Sequence, residues 1–154
     1  MDALTVAPDT PERADVAALL TRHFDLMRAT SPEESCHVMA PDTLLEKGVA
    51  LYAARDGDAV LGVGALAVIA PDHGELKSMH TAAEARGRGV ARAVLAALFE
   101  AARARGLTRL SLETGSAPEF AAARALYEAH GFTYCPPFGD YVPDPLSVFM
   151  TRTL

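Results

Sequence analysis

One stretch limits the folds open to this chain more than any other. Glu75 to Thr81 reads as a strand, Ala82 to Gly89 as a short loop, and the residues from Val90 as a long helix. The helix follows from spacing: Val90, Val94, Leu98 and Ala102 recur every four residues, with Ala91 and Leu95 beside them. Gly106 closes the stripe as a natural C-terminal cap. A strand feeding a long helix through a tight loop calls for a sheet with helices packed on it. The loop itself, Arg86-Gly87-Arg88-Gly89, has a chemical meaning. A helix start leaves backbone N–H groups without partners and carries partial positive charge. Gly87 and Gly89 have no side chain to keep an anion from those donors, and two arginines add charge beside them. The combination suits a phosphate or pyrophosphate.

Other phosphate loops fit poorly. A dinucleotide fingerprint needs a third small residue where this chain has Arg92. It also wants an acidic residue about twenty positions on, and Glu113 comes late. There is no Gly-Lys-Ser or Gly-Lys-Thr for a triphosphatase loop. A plain loop with solubilising arginines is the alternative on this motif alone.

Length and charge narrow the class. A chain of 154 residues, half of them apolar, suits one domain, residues 1–154, with one core. The net charge of −6 argues against a general nucleic-acid surface, though not against a local basic pocket. Cys36 and Cys135 make neither a metal spacing nor a disulfide framework. The longest apolar run, Ala59 to Ala70, is too short to span a bilayer, and Met1 to Ala7 lacks the marks of a signal peptide. The expectation is a cytoplasmic protein with no metal, no nucleic acid and no membrane partner.

Along the chain, Ala3 to Ala7 reads as a first strand and Asp9-Thr10-Pro11-Glu12 as a helix start. Val16, Leu20, His23 and Met27 share a face of that helix, so His23 is expected to pack with one hydrogen bond or to line a pocket. Ser31-Pro32-Glu33-Glu34 fits a capping box for a second helix. Val49–Arg55 and Ala59–Ile69 form a hairpin around Asp56-Gly57. Pro71-Asp72-His73-Gly74 makes the next turn, with His73 solvated, and Glu75–Thr81 completes an antiparallel meander. Leu107–Thr114 follows a helix that follows a strand, so it lies parallel to Glu75–Thr81. Pro118-Glu119 opens a helix with Phe120, Ala123, Leu126, Tyr127 and His130 on one side, capped by Gly131. Phe132–Cys135 and Ser147–Thr153 are the last strands. The proline-stiffened loop between them is longer than a hairpin needs, as an active-site lip or a dimer contact would be.

Two motifs together carry a resemblance. Arg86-Gly87-Arg88-Gly89-Val90-Ala91 fits the Arg/Gln-x-x-Gly-x-Gly/Ala signature of the GCN5-related N-acetyltransferases (GNAT). Ala123 to Phe132 resembles that family's second signature, a helix ending in Tyr-x-x-x-Gly-Phe. One helix and one strand separate them, as in that family, and the likeness is strongest from Gly62 to Phe132. It departs at Ala83, where many members carry proline, and at Thr114-Gly115-Ser116, which lacks their asparagine.

The resemblance implies an α+β fold. A central, twisted, mostly antiparallel sheet of six to seven strands would hold a parallel pair splayed at an acetyl-CoA site. About four helices would cover both faces. It implies acetyl transfer from acetyl-CoA to an amine, with the pantetheine arm along Met79 and Thr81. The pyrophosphate would sit on the N–H groups of Arg86, Gly87, Arg88, Gly89, Val90 and Ala91. Tyr127 is the implied general acid; a core aromatic role is the alternative. Glu75 is the candidate base, through water, and strict alternation would put it on one face with Met79. Glu113 is a second candidate, His37 and Asp140 weaker ones. Arg28, Ser35 and His37 are candidate acceptor contacts by the same resemblance. No serine or cysteine has a nucleophile's setting, which favours direct transfer in a ternary complex. The expected substrate is a small-molecule amine, with pairing into a homodimer suggested by the scaffold. The alternatives are a CoA-binding regulatory module without turnover and acetylation of a protein lysine or N-terminus.

Overall fold

A computed structural model describes residues 4–30 and 49–154. Seven strands form one sheet, in the order β1-β2-β3-β4-β5-β7-β6. They are β1 (Leu4–Asp9), β2 (Ala50–Asp56), β3 (Ala59–Ala70), β4 (His73–Thr81), β5 (Arg109–Gly115), β6 (Thr133–Cys135) and β7 (Ser147–Thr153). Every neighbouring pair is antiparallel except β4 and β5. The expected mostly antiparallel sheet with one parallel pair is therefore what forms. Among the described residues there are three α-helices, α1 (Ala14–Thr30), α2 (Val90–Ala104) and α3 (Ala121–Ala129). The helix expected from Ser31 lies outside the described residues.

Helix α2 buries Val90, Val94, Leu95, Leu98, Phe99 and Ala102, the stripe read from spacing. It ends in a Schellman motif: Leu107 N–H donates to Ala102 O (3.0 Å) and Gly106 N–H to Arg103 O (3.0 Å), with Gly106 at φ +76°. The helix lies close on β3 because Gly62 and Gly64 leave it room. A Cβ on Gly62 would stand 2.5 Å from Val90 Cγ1, and one on Gly64 2.7 Å from Val94 Cγ1. The two glycines inside the apolar run Ala59–Ala70 thus set the depth at which α2 docks. Phe132 follows α3 and stacks on Phe99 (6.0 Å) and edge-on to Tyr127 (5.8 Å), which puts α2 and α3 on one face of the sheet. Helix α1 covers the other face. Its start is tied down by Arg55, which bridges Asp9 (3.1 Å) and Asp15 (2.7 Å). The hydrogen bond and charge of Arg55 hold the Asp15 carboxyl down to about 2.

The turn between β3 and β4 is tighter than expected. Ala70 already faces His73, so the turn is Pro71-Asp72 and His73 opens the strand. His73 is partly buried in the strand rather than in a solvated turn: its Nε2 lies 2.6 Å from Ser111 Oγ on β5, itself 2.8 Å from Thr151 Oγ1 on β7. A chain of polar partners across three strands holds the imidazole in the sheet, and burial lowers its pKa.

Candidate active site

Pairing between β4 and β5 runs from His73/Arg109 to Leu76/Leu112 and stops. Beyond it, Lys77–Thr81 and Glu113–Gly115 diverge, each still paired to its outer neighbour, β3 or β7. The split comes from a bulge in β4. Ser78 has φ +56°, rare for a residue with a side chain, and the register against β3 slips between Ala65/Lys77 and Val63/His80. A cleft of about 680 Å³ opens at the split.

The bulge changes which residues share a face. Strict alternation puts Glu75 and Met79 together, and this expectation is corrected. The Met79 thioether lies 2.6 Å from where a Cβ of Gly64 would be, on the face of α2. Glu75 and Lys77 face the opposite way, and the extra residue at Ser78 returns His80 to their side, against His23 of α1. The gap therefore has two walls of different chemistry.

On the α2 side the cleft is lined by Met79, Arg86, Gly87, Gly89, Val90, Ala91 and Tyr127. Gly87 and Gly89 have φ +83° and +78°, and no heavy atom lies within 4 Å of where their Cβ atoms would be. No side chain caps α2, and Ala93 N–H donates to Gly89 O (3.0 Å). The preceding N–H groups have no intrahelical acceptor. This bare, positively polarised cradle fits a phosphate group. Ser78 Oγ at the split is buried and has no hydrogen-bond partner among the described residues. Arg88 does not line the cleft; its guanidinium pairs with Asp56 at 3.1 Å, outside the cradle. Tyr127 is 6% exposed, and burial pushes its phenol far above the ordinary tyrosine range.

On the α1 side stand Glu75, Lys77, His80, His23, Glu113 and Tyr141. Glu75 Oε2 accepts hydrogen bonds from Tyr141 Oη (2.6 Å) and Lys77 Nζ (3.2 Å). Burial and the charge of Glu75 raise the Tyr141 phenol strongly, so it remains a donor. Phe138 and Tyr141 pack edge-on at 5.3 Å and both contact Phe149, which folds the 136–146 loop over this wall as a lip. Asp140 is exposed and does not line the cleft. His23 is buried, as its place on α1 suggested, and its Nδ1 lies 3.2 Å from His80 Nδ1. Leu26 and Met27 of α1 also line the cleft, whereas Arg28 is exposed and lies over the Phe24 ring at 5.7 Å. Ser35 and His37 fall outside the described residues.

The sequence reading missed Lys77, His80 and Tyr141. Lys77 was open to discovery, since alternation pairs it with Glu75. Tyr141 was visible only as one aromatic residue in a long loop. His80 had no signal at all, because without the bulge it belongs to the other face. Among the described residues no group of three or more His, Cys, Asp or Glu could hold a metal ion, and no helix is long and apolar enough to cross a membrane.

The family model described as "Acetyltransferase (GNAT) family" matches residues 16–132. The chain is 46% identical over 139 residues to YsnE of Bacillus subtilis (strain 168), an uncharacterized N-acetyltransferase, covering 90% of this chain and 92% of the relative. It is 36% identical over 156 residues to the IAA acetyltransferase of Azospirillum brasilense, covering 100% of both. Among solved structures, a GNAT family acetyltransferase from Elizabethkingia anophelis with acetyl-CoA bound superposes with a TM-score of 0.73. That match covers 100% of each chain at 19% identity, a likeness of fold.

Proposed function

The chain belongs to the GNAT acetyltransferase family, and on that premise we propose that it is an acetyl-CoA-dependent N-acetyltransferase acting on the primary amine of a small molecule, by direct attack in a ternary complex. The observation that carries the reading is the two-sided gap between β4 and β5, with an anion cradle and Tyr127 on one wall and the polar Glu75 cluster on the other.

The cradle at Arg86, Gly87, Gly89, Val90 and Ala91 is assigned to the pyrophosphate, while the Arg88 guanidinium pairs with Asp56 outside it. The β4 edge from Lys77 to Thr81 has no strand on its β5 side, so Met79 and Thr81 can offer backbone groups to the pantetheine arm as an added strand does. An N–H near Met79 is placed to stabilise charge on the acetyl oxygen. Acetyl-CoA, when bound, supplies the acyl group activated as a thioester. Tyr127 stays protonated because it is buried, and can give its proton to the departing sulfur.

The other wall takes the acceptor. Glu75, proposed from sequence as the base, has one oxygen held by two donors, so its role here is to fix the wall and attract the amine. Glu113 adds negative charge to the same wall. Arg28 lies off the lined cleft, so a carboxylate on the acceptor has no described partner in that residue. A small molecule fits a cleft narrowed by the 136–146 lip, and the Azospirillum brasilense relative named for IAA acetylation shares full-length similarity.

The test is thiol release from acetyl-CoA against a panel of small amines, amino acids and peptides. Turnover with a small amine supports the reading. CoA binding without turnover on any amine would favour a regulatory module, and turnover confined to peptides a protein acetyltransferase.

A further inference from the structure

Besides the Glu75 cluster, the acceptor half holds two histidines in direct contact. His23 Nδ1 and His80 Nδ1 are 3.2 Å apart, with the ring centroids 4.9 Å apart and the planes tilted by 45°. Both rings line the cleft. Neither Nε2 has a hydrogen-bond partner among the described residues.

The contact dictates the tautomers. A bond between two neutral imidazoles needs one Nδ1–H donor and one bare Nδ1 acceptor. The donor ring then has a bare Nε2, and the acceptor ring carries its proton on Nε2. The pair therefore offers one lone pair and one N–H at its two Nε2 ends. His80 is the more exposed ring, on the face of Glu75 and Lys77 and next to Met79; His23 is 8% exposed. Glu75, by contrast, already has two donors on Oε2.

Resting on the acetyltransferase reading, we propose that His80 accepts the acceptor amine's proton at Nε2, while His23 positions it and stabilises the charge by accepting the His80 Nδ1–H. The balance is closed. Attack makes the N–C bond and breaks the C–S bond, with the sulfur taking the electron pair. The proton on nitrogen goes to His80 Nε2, the resulting imidazolium is held by its Nδ1–H donated to His23 Nδ1, and the Nε2 proton then leaves to water in the cleft, which restores the starting tautomers. The sulfur is protonated by Tyr127, which regains its proton from water.

The surroundings make this dyad responsive to the cosubstrate. His80 is held down to about 4 by burial first, then by Arg86 and Arg22, with Glu84 opposing them; His23 is held to about 4 by burial and by His80. Arg86 lines the proposed pyrophosphate cradle. An anion there offsets its charge and makes His80 a better base.

The test combines imidazole nitrogen NMR with kinetics. On folded wild-type protein, the dyad gives one ring protonated at Nδ1, one at Nε2, and a shared downfield Nδ1 proton lost in His23→Gln. Adding CoA without acceptor raises the His80 midpoint by at least half a pH unit. With the best amine of the panel, His80→Gln lowers kcat by about 100-fold and removes the acid limb of kcat/KM, while CoA binding stays within twofold. His23→Gln lowers kcat by about tenfold and shifts that limb, and His80→Asn behaves as His80→Gln. Two rings both protonated at Nε2, or a His80→Gln enzyme with the wild-type rate and pH profile, overturns the proposal. A wild-type protein that does not bind CoA overturns the acetyltransferase reading instead, so the two failures are distinguishable.

Discussion

Tyr141 Oη donates to Glu75 Oε2 across 2.6 Å, joining two residues 66 positions apart in the chain. The bond fastens the tip of the loop before β7 to the last paired stretch of β4, and Lys77 Nζ, 3.2 Å from both oxygens, closes the triangle. Tyr141→Phe keeps the ring contacts with Phe138 and Phe149 and removes one donor from a buried carboxylate. The expected cost is about 1–2 kcal/mol, or a fall in Tm of roughly 3–6 °C. Because the lip covers the acceptor wall, the KM for the amine should rise severalfold while CoA affinity holds. Calorimetric melting and steady-state kinetics on one preparation check both.

Tyr127→Phe tests the acid on the opposite wall. The ring lies against Phe132 and should keep its packing, so stability is expected to change by less than about 1 kcal/mol. The rate should fall by about 100-fold at unchanged CoA affinity. Since burial raises the phenol far above pH 10, the wild-type profile should show no alkaline limb from this residue. A variant with the full rate would return Tyr127 to a purely structural role.

Gly89→Ala probes the cradle. There is space for the new Cβ, so the penalty comes from backbone conformation, since φ +78° suits glycine and strains alanine by roughly 1–2 kcal/mol. Gly89 also lines the cleft, so the added methyl group takes space there. A lower Tm together with CoA affinity weakened at least tenfold is the expected pattern, read by melting and titration calorimetry. Gly57→Ala, at φ +60° in the β2–β3 turn and also without a neighbour within 4 Å, should lose stability but keep affinity.

Burial of the His23 and His80 rings sets a pH window for stability. Both rings sit near 4 in the folded protein against 6.5 ordinarily, so the unfolded chain binds more protons between those values. Their contribution is fully present above pH 6.5 and is lost as pH falls toward 4. For the buried His23 alone the loss from pH 7 to pH 5 is about 2 kcal/mol. His73, also lowered by burial, acts in the same direction. Urea unfolding at pH 7.5, 6 and 5 should show midpoints falling across the series, with a shallower fall in His80→Gln.

Much of this was readable before any coordinates, for identifiable reasons. Helix α2, its glycine cap, the hairpin at Asp56-Gly57 and the parallel pair follow from periodicity and turn chemistry, which are local. The glycine-arginine loop was readable because anion binding by a helix start is also local. The two walls of the cleft were not. They depend on one residue, Ser78, taking a left-handed backbone conformation that its type does not advertise. That bulge separates Met79 from Glu75 and brings His80 to His23, reversing two assignments that strict alternation would make. His73 was misread for a related reason: its partners Ser111 and Thr151 come from distant strands. Arg28 was a candidate acceptor contact by resemblance alone; in the fold it is exposed, while Leu26 and Met27 beside it line the cleft.

The central claim is that the bare amides at the start of α2 receive the pyrophosphate of a CoA thioester. Titration calorimetry of the folded protein with CoA and with acetyl-CoA tests it most directly. Saturable one-to-one heats for both, weakened at least tenfold by Gly89→Ala and little changed by His80→Gln, are the expected result. No heat with either ligand, or heats that Gly89→Ala leaves untouched, would contradict it.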